Sequence, residues 1–262
     1  EFWAIQNAAP SFSPNDEYVL FTVYRNFEQD IVVHHIKNNK TTNLTNTGVT
    51  ETSPAWSPDG KYIFFTSART KPAYPSGLSN SHIYRMALNN YDEPFRSDKF
   101  DELFKENKPE PKEVKPGITD PKENKKVKAG DTVKKKNEVK ATAKPANVIT
   151  INTQDILDRI ELVGPGFGGQ YGTDVFAKGD KTYVFYSSNH EGGAPGIYRT
   201  TLEPFENRKT EKIADGGGFG IIQSGDRYFM LINGVINKYN IDANKADRID
   251  HNYKFTRNLN AE

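Results

Sequence analysis

The sequence predicts an all-β chain: a β-propeller of about four four-stranded blades that forms part of a larger propeller and carries one long disordered insertion. A phrase that recurs in unbroken register, a tyrosine-led strand that recurs at similar spacing, and the apolar character of that strand carry the prediction.

The phrase is Pro10-Ser11-Phe12-Ser13-Pro14-Asn15-Asp16-Glu17-Tyr18-Val19-Leu20-Phe21-Thr22, which returns 44 residues later as Pro54-Ala55-Trp56-Ser57-Pro58-Asp59-Gly60-Lys61-Tyr62-Ile63-Phe64-Phe65-Thr66. Each copy spells a short strand, a tight turn and a second strand. Pro14 and Pro58 preset φ for the turn, and Gly60 supplies the positive φ that closes it. Asp16 takes the Gly60 position in the first copy, a tolerated but poorer choice.

The second strands, Tyr18 to Val23 and Tyr62 to Thr66, are apolar and aromatic almost throughout instead of alternating. That pattern asks for burial on both faces, the environment of a strand inside a propeller blade with a blade on either side. Third strands follow at Asp30-Ile31-Val32-Val33 and His82-Ile83-Tyr84-Arg85-Met86, and a fourth at Thr42-Asn43-Leu44-Thr45. Two degenerate copies come later. Lys178 to Tyr186 leads to Gly196-Ile197-Tyr198-Arg199, and Ser224 to Leu231 leads to Val235 to Tyr239, so that Tyr18, Tyr62, Tyr183 and Tyr228 open the four buried strands.

Between Lys105 and Lys144 the chain is dominated by Lys, Glu and Pro and has no aromatic residue. Such a segment cannot bury enough apolar surface to offset its ordering entropy. The expected organisation is therefore blades one and two over 1–98, a disordered insertion over 99–147, the rest of blade two with blades three and four over 148–250, and an exit strand with the start of a linker over 251–262. The fourth strand of blade two is expected near Arg159-Ile160-Glu161-Leu162-Val163, across the insertion from its third.

Composition narrows the functions. Thirty-five basic residues against 34 acidic ones leave a net charge of +1, so no global field draws in nucleic acid or an anionic membrane. The absence of cysteine removes disulfides, thiolate nucleophiles and zinc–thiolate sites. No apolar run has the length of a membrane span. The start, Glu1-Phe2-Trp3-Ala4, reads as that of a fragment or a mature product.

Individual motifs read as structural. Gly164-Pro165-Gly166-Phe167-Gly168-Gly169 has dinucleotide-loop spacing but runs toward a strand instead of a helix, and with Gly218-Phe219-Gly220 it reads as an inter-blade turn. Ser57-Pro58-Asp59-Gly60-Lys61-Tyr62 is similar to a sialidase Asp box but departs from it at Lys61 and Tyr62. The histidines, His34-His35, His82 and His190-Glu191, offer no spacing that gathers three metal ligands. No strained nucleophile context is present. The expectation is no catalytic, cofactor-binding or metal site in this chain and no cofactor.

The Pro-x-Phe/Trp-Ser-Pro-Asp-Gly-Lys-Tyr-Ile-Phe-Phe-Thr-Ser phrase resembles the propeller repeat of the TolB proteins, prolyl-oligopeptidase-type enzymes and tricorn-type peptidases. The run Val148 to Leu162, after its Lys/Glu-rich excursion, and the closing Tyr253-Lys254-Phe255-Thr256-Arg257 are similar to segments of bacterial tricorn-like serine peptidases. That resemblance implies a non-catalytic propeller acting as a peptide gate, substrate channel or docking scaffold for a serine peptidase domain further along the polypeptide. It implies peptide or protein substrates and that downstream domain as partners, possible homo-oligomers, and a periplasmic or cytoplasmic location with the periplasm favoured. The alternatives are a stand-alone TolB-like interaction propeller and a propeller hydrolase acting on glycans.

Overall fold

The computed structural model describes residues 10–25, 27–70, 80–91 and 148–250. All of them belong to one compact unit, and residues 93–145 lie outside the described residues. The expected insertion over 99–147 and the expected exit strand at Tyr253 to Arg257 fall outside them too.

Four antiparallel four-stranded sheets, each a simple meander, account for the described strands. Blade one holds β1 (Ser11–Phe12), β2 (Tyr18–Arg25), β3 (Glu28–His35) and β4 (Lys40–Asn43); blade two holds β5 (Glu51–Trp56), β6 (Tyr62–Ser67), β7 (His82–Ala87) and β8 (Ile160–Leu162). Blade three holds β9 (Gln170–Lys178), β10 (Lys181–Ser188), β11 (Gly196–Leu202) and β12 (Lys209–Asp215); blade four holds β13 (Phe219–Ser224), β14 (Arg227–Ile232), β15 (Val235–Asn240) and β16 (Lys245–Arg248). Blade two is completed across the long gap in sequence: β8 pairs with β7 through Leu162 opposite Tyr84 and Ile160 opposite Met86. A 3-10 turn, Ile156–Arg159, leads into β8.

The repeated phrase forms one hydrogen-bonded device twice. In blade two the Ser57 hydroxyl donates to Asp59 Oδ1 at 2.6 Å and accepts from the Tyr62 amide at 2.8 Å, while Asp59 Oδ1 also accepts from the Lys61 amide at 3.1 Å. Ser13, Asn15 and Tyr18 repeat the scheme at 2.7 and 3.0 Å. Serine and Asx side chains here replace the backbone partners that a tight turn leaves unsatisfied. Gly60 sits at φ +72° and Asp16 at +58°, as the turn requires. Asp59 is thus a turn residue.

Pro54 falls inside β5, where a ladder needs every amide. It is accommodated by a bulge between Thr52 and Ala55, with Ser53 at φ +50°.

The blades stack in chain order through three apolar layers. Leu20, Ile31 and Val33 of blade one meet Ile63, Phe65 and Met86 of blade two. Phe64 and Ile83 of blade two meet Val184, Tyr186 and Tyr198 of blade three. Tyr183 and Phe185 of blade three meet Ile221, Met230 and Tyr239 of blade four. Odd and even positions of β6 and of β10 thus feed different layers, which explains their unbroken apolar sequence. β2 and β14 each have one described neighbouring blade and are buried on one side only: Leu20, Tyr228 and Met230 are buried, Phe21 and Phe229 half-buried.

The tyrosine register holds for three blades. Tyr18, Tyr62 and Tyr183 pack toward the following blade. Tyr228 faces backward instead, with its ring edge-on to Phe176 at 5.7 Å. Two residues separate Gly225 from Tyr228, against three between Gly179 and Tyr183. A one-residue slip moves a side chain to the opposite face of its strand.

Candidate functional site

In each blade the first strand begins, the second ends and the third begins at one edge, and the connection from the preceding blade arrives there. Two polar groupings occupy this loop edge, one on blade two and one on blade three. The Gln170 amide donates to the Ser81 carbonyl at 2.8 Å, the Ser81 hydroxyl to the Gln170 carbonyl at 2.7 Å and the Ile83 amide to Gln170 Oε1 at 3.0 Å, tying the start of β7 to the start of β9.

On blade two, strand register lines up Glu51, Ser67 and His82 across β5, β6 and β7. They share the face of Phe65 and Tyr84, toward blade one. Glu51 is 0% exposed and His82 5%. Thr47 donates to Glu51 Oε1 at 2.7 Å, but Oε2 has no protein partner, nor do the two His82 nitrogens or Arg69 Nη1. Four of the six buried polar side-chain atoms without a partner, among the described residues, belong to this one grouping. Burial pushes the Glu51 carboxyl up to about 7, against bonds from Thr47 and Thr45 and the Arg69 charge, with Asp30 adding to the rise. Burial also pushes the His82 imidazole down, so it is neutral at pH 7. The row gathers an acid, a hydroxyl and an imidazole without forming a relay. Ser67 Oγ accepts from the Arg69 amide at 3.2 Å, and the bonds that nucleophile–base–orienter catalysis requires are not made.

On blade three, Ser188 closes β10 and His190 stands second in the following loop. Ser188 Oγ lies 2.7 Å from His190 Nδ1 and accepts from the His190 amide at 3.2 Å. The imidazole sits 4.2 Å from the Tyr198 ring and 5.7 Å, edge to face, from Phe167. Phe167 belongs to the Gly164–Gly169 phrase, which connects β8 to β9, as residues 216–218 connect β12 to β13. The first glycine phrase is therefore an inter-blade connection, and Gln170 continues it as a strand; of the second only Gly218 lies in the connection, because Phe219 and Gly220 already open β13. Gly168, at φ +75°, leaves no room for a side chain, because a Cβ there meets the His190 Cα at 2.5 Å. Lys212 on β12 pairs with Asp215 at 2.9 Å and Glu191 at 3.4 Å.

At the opposite edge, between blades three and four, a cavity of about 440 Å³ is lined by Lys181, Arg199, Glu203, Glu211 and Asp242 among others. Its charges neutralise one another: Lys181 pairs with Glu203 at 2.8 Å, Arg199 and Lys209 each with Glu211 at 2.8 Å, and Lys178 with Asp242. Lys209 and Arg199 hold the Glu211 carboxyl below its usual range, the reverse of what a glycosidase acid needs. The buried Arg199 guanidinium also bonds the Tyr239 hydroxyl at 3.2 Å and stacks 5.0 Å over Tyr183, cementing the two blades.

The remaining histidines among the described residues are placed as local anchors. His34 Nδ1 is 2.9 Å from Thr41 Oγ1, and His35 accepts from the Asn38 amide at 3.1 Å. Among the described residues no three His, Asp or Glu side chains converge as a metal site. No helix among them is long and apolar enough to cross a membrane. Sequence reasoning singled out His82 and His190 but not Glu51, Ser188, Arg199 or the exposure of Phe167. For Ser188 the signal was present in the short Ser-Asn-His spacing at a strand end.

Residues 3–102 match the family model of the TolB beta propeller domain. No curated protein sequence matches the chain. Among solved structures it is similar to the tricorn protease, with 11% identity and a TM-score of 0.52 over 92% of this chain and 22% of that one. TolB from Acinetobacter baumannii is 12% identical with a TM-score of 0.48, over 92% of this chain and 42% of that one. The β-propeller domain of the Trilobed protease from Pyrococcus furiosus is 11% identical with a TM-score of 0.43, over 94% and 58%. The chain thus spans less than two thirds of each of these proteins. At these identities the likeness is one of fold: the four sheets are blades of a β-propeller, and residues 3–102 carry its TolB-type repeat.

Proposed function

We propose that this chain is the non-catalytic propeller portion of a tricorn-like serine peptidase, a peptide gate and docking scaffold for a peptidase domain of the same polypeptide. The observation that carries the scaffold reading is the outer face of blade four. Register places Ile222 opposite Phe229, and Leu231 opposite Ile236, on the side turned away from blade three. Ile222 is 64% exposed, Leu231 46% and Ile236 44%. In the three internal layers the corresponding face is covered by the next blade, and contiguous apolar surface of this kind marks an interaction site. Its occupant in this reading is a further blade of the same polypeptide.

Light scattering coupled to size exclusion, with a hydrophobic dye, tests the face. The isolated chain is expected to bind dye and self-associate, and Leu231→Lys with Ile236→Lys to abolish both. A dye-silent monomer at high concentration overturns the scaffold reading. The coding sequence beyond Glu262 tests the rest: a serine peptidase domain supports it, whereas a stop codon selects the stand-alone TolB-like module. The glycan-hydrolase alternative finds no support in the ion-paired cavity between blades three and four.

A further inference from the structure

We propose that His190 and Phe167 form a peptide-docking site on the loop edge of blade three, in which His190 Nε2–H donates to a backbone carbonyl and Phe167 takes the neighbouring apolar side chain. The inference rests on the peptide-docking reading and assigns it a place and a chemistry.

The tautomer follows from Ser188, which is fully buried. Its buried hydroxyl proton needs an acceptor, and of its two partners the His190 amide only donates, at 3.2 Å, so the proton goes to His190 Nδ1 at 2.7 Å. A neutral imidazole that accepts at Nδ1 carries its proton on Nε2, across the ring. Burial, assisted by Lys212 and opposed by Glu191, holds this imidazole below its usual range and keeps it neutral. The residue is half-buried, and its hydrogen bonds run from Nδ1 and the backbone amide, which leaves Nε2 for a ligand or solvent.

The ring is fixed on two sides, by Tyr198 at 4.2 Å and by Phe167 at 5.7 Å. Phe167 is 62% exposed. Its loop cannot slide inward, because Gly168 already abuts the His190 backbone. The result is one preorganised N–H donor beside one exposed aromatic face. An anionic ligand is disfavoured, since Lys212, the nearby cation, is engaged by Glu191 and Asp215. A carbonyl followed by an apolar side chain, the repeat unit of an extended peptide, matches both features.

Titration of the isotope-labelled chain with N-acetyl-Ala-Leu-Ala-amide, followed by amide NMR shifts, provides the test. Saturable shifts are expected at Gly168, His190 and Gly192. Phe167→Ala and His190→Leu are each expected to weaken binding about fivefold or more. His190→Gln, whose side-chain amide reaches the Nε2 position, is expected to retain affinity within about twofold, the rescue that a merely structural histidine would not show. Saturable binding that these variants leave unchanged overturns this site while the docking reading stands. The absence of saturable binding anywhere on the chain overturns both.

Discussion

Replacing Glu51 by glutamine is expected to leave stability near that of the parent at pH 4 and to raise it by about 3 kcal/mol at pH 8. The folded carboxyl titrates at about 7 against 4.5 for the free group. Between those values the unfolded chain gives up its proton while the folded chain keeps it, so stability falls as pH rises and the whole contribution is gone above pH 7. Glutamine keeps the oxygen that accepts from Thr47 and has no charge to bury. The groups facing this carboxyl are Thr45, Thr47, Arg69 and Asp30, the last already paired with Arg25 at 3.2 Å and bonded by Asn43 at 2.7 Å. His82 acts in the opposite direction: it folds neutral, so it costs stability as pH falls through the unfolded value of 6.5. That cost is common to parent and variant and cancels in their difference. Denaturant titrations at pH 4, 6 and 8 measure the difference, and a flat profile would sink the assignment.

Glu51 also marks the limit of what was legible beforehand. The blades were readable because they are local: turn chemistry, a strand and its hairpin partner lie within a dozen residues, and the 44-residue echo confirms them. The fourth strand of blade two was readable in spite of the long excursion before it, because Arg159 to Val163 resumes an apolar pattern. The Glu51–Ser67–His82 row was not. Its members sit in three strands, Glu51 in a segment, Glu51-Thr52-Ser53-Pro54, that reads as polar and proline-broken, and only the bulge-shifted register brings them level. The backward-facing Tyr228 was hidden for a related reason, since one residue fewer in a hairpin reverses a face without altering the composition of the strand. The outward faces of blades one and four carry the same apolar letters as the covered ones, and sequence alone does not say which neighbour is present.

Gly60→Val is expected to destabilise the chain by about 3 kcal/mol, lowering the melting temperature by about 6–12 °C. Two costs combine. At φ +72° an L-residue brings its Cβ against the backbone, about 1–2 kcal/mol, and β-branching adds to it. The new Cβ also meets the buried Ile149 side chain at 2.6 Å, forcing it out of the layer between blades one and two. Gly179→Ala separates the two costs, because Gly179 sits at φ +64° with nothing within 4 Å of a Cβ; it is expected to lose only the backbone part, about 1 kcal/mol. Gly60→Asn places at the second turn a residue type that tolerates the left-handed region, as Asp16 does at the first, and is expected to fall below the valine variant in cost. Thermal melts of the three variants rank the effects. If Gly60→Val melts with the parent, neither the closing turn nor the Ile149 contact holds blades one and two together.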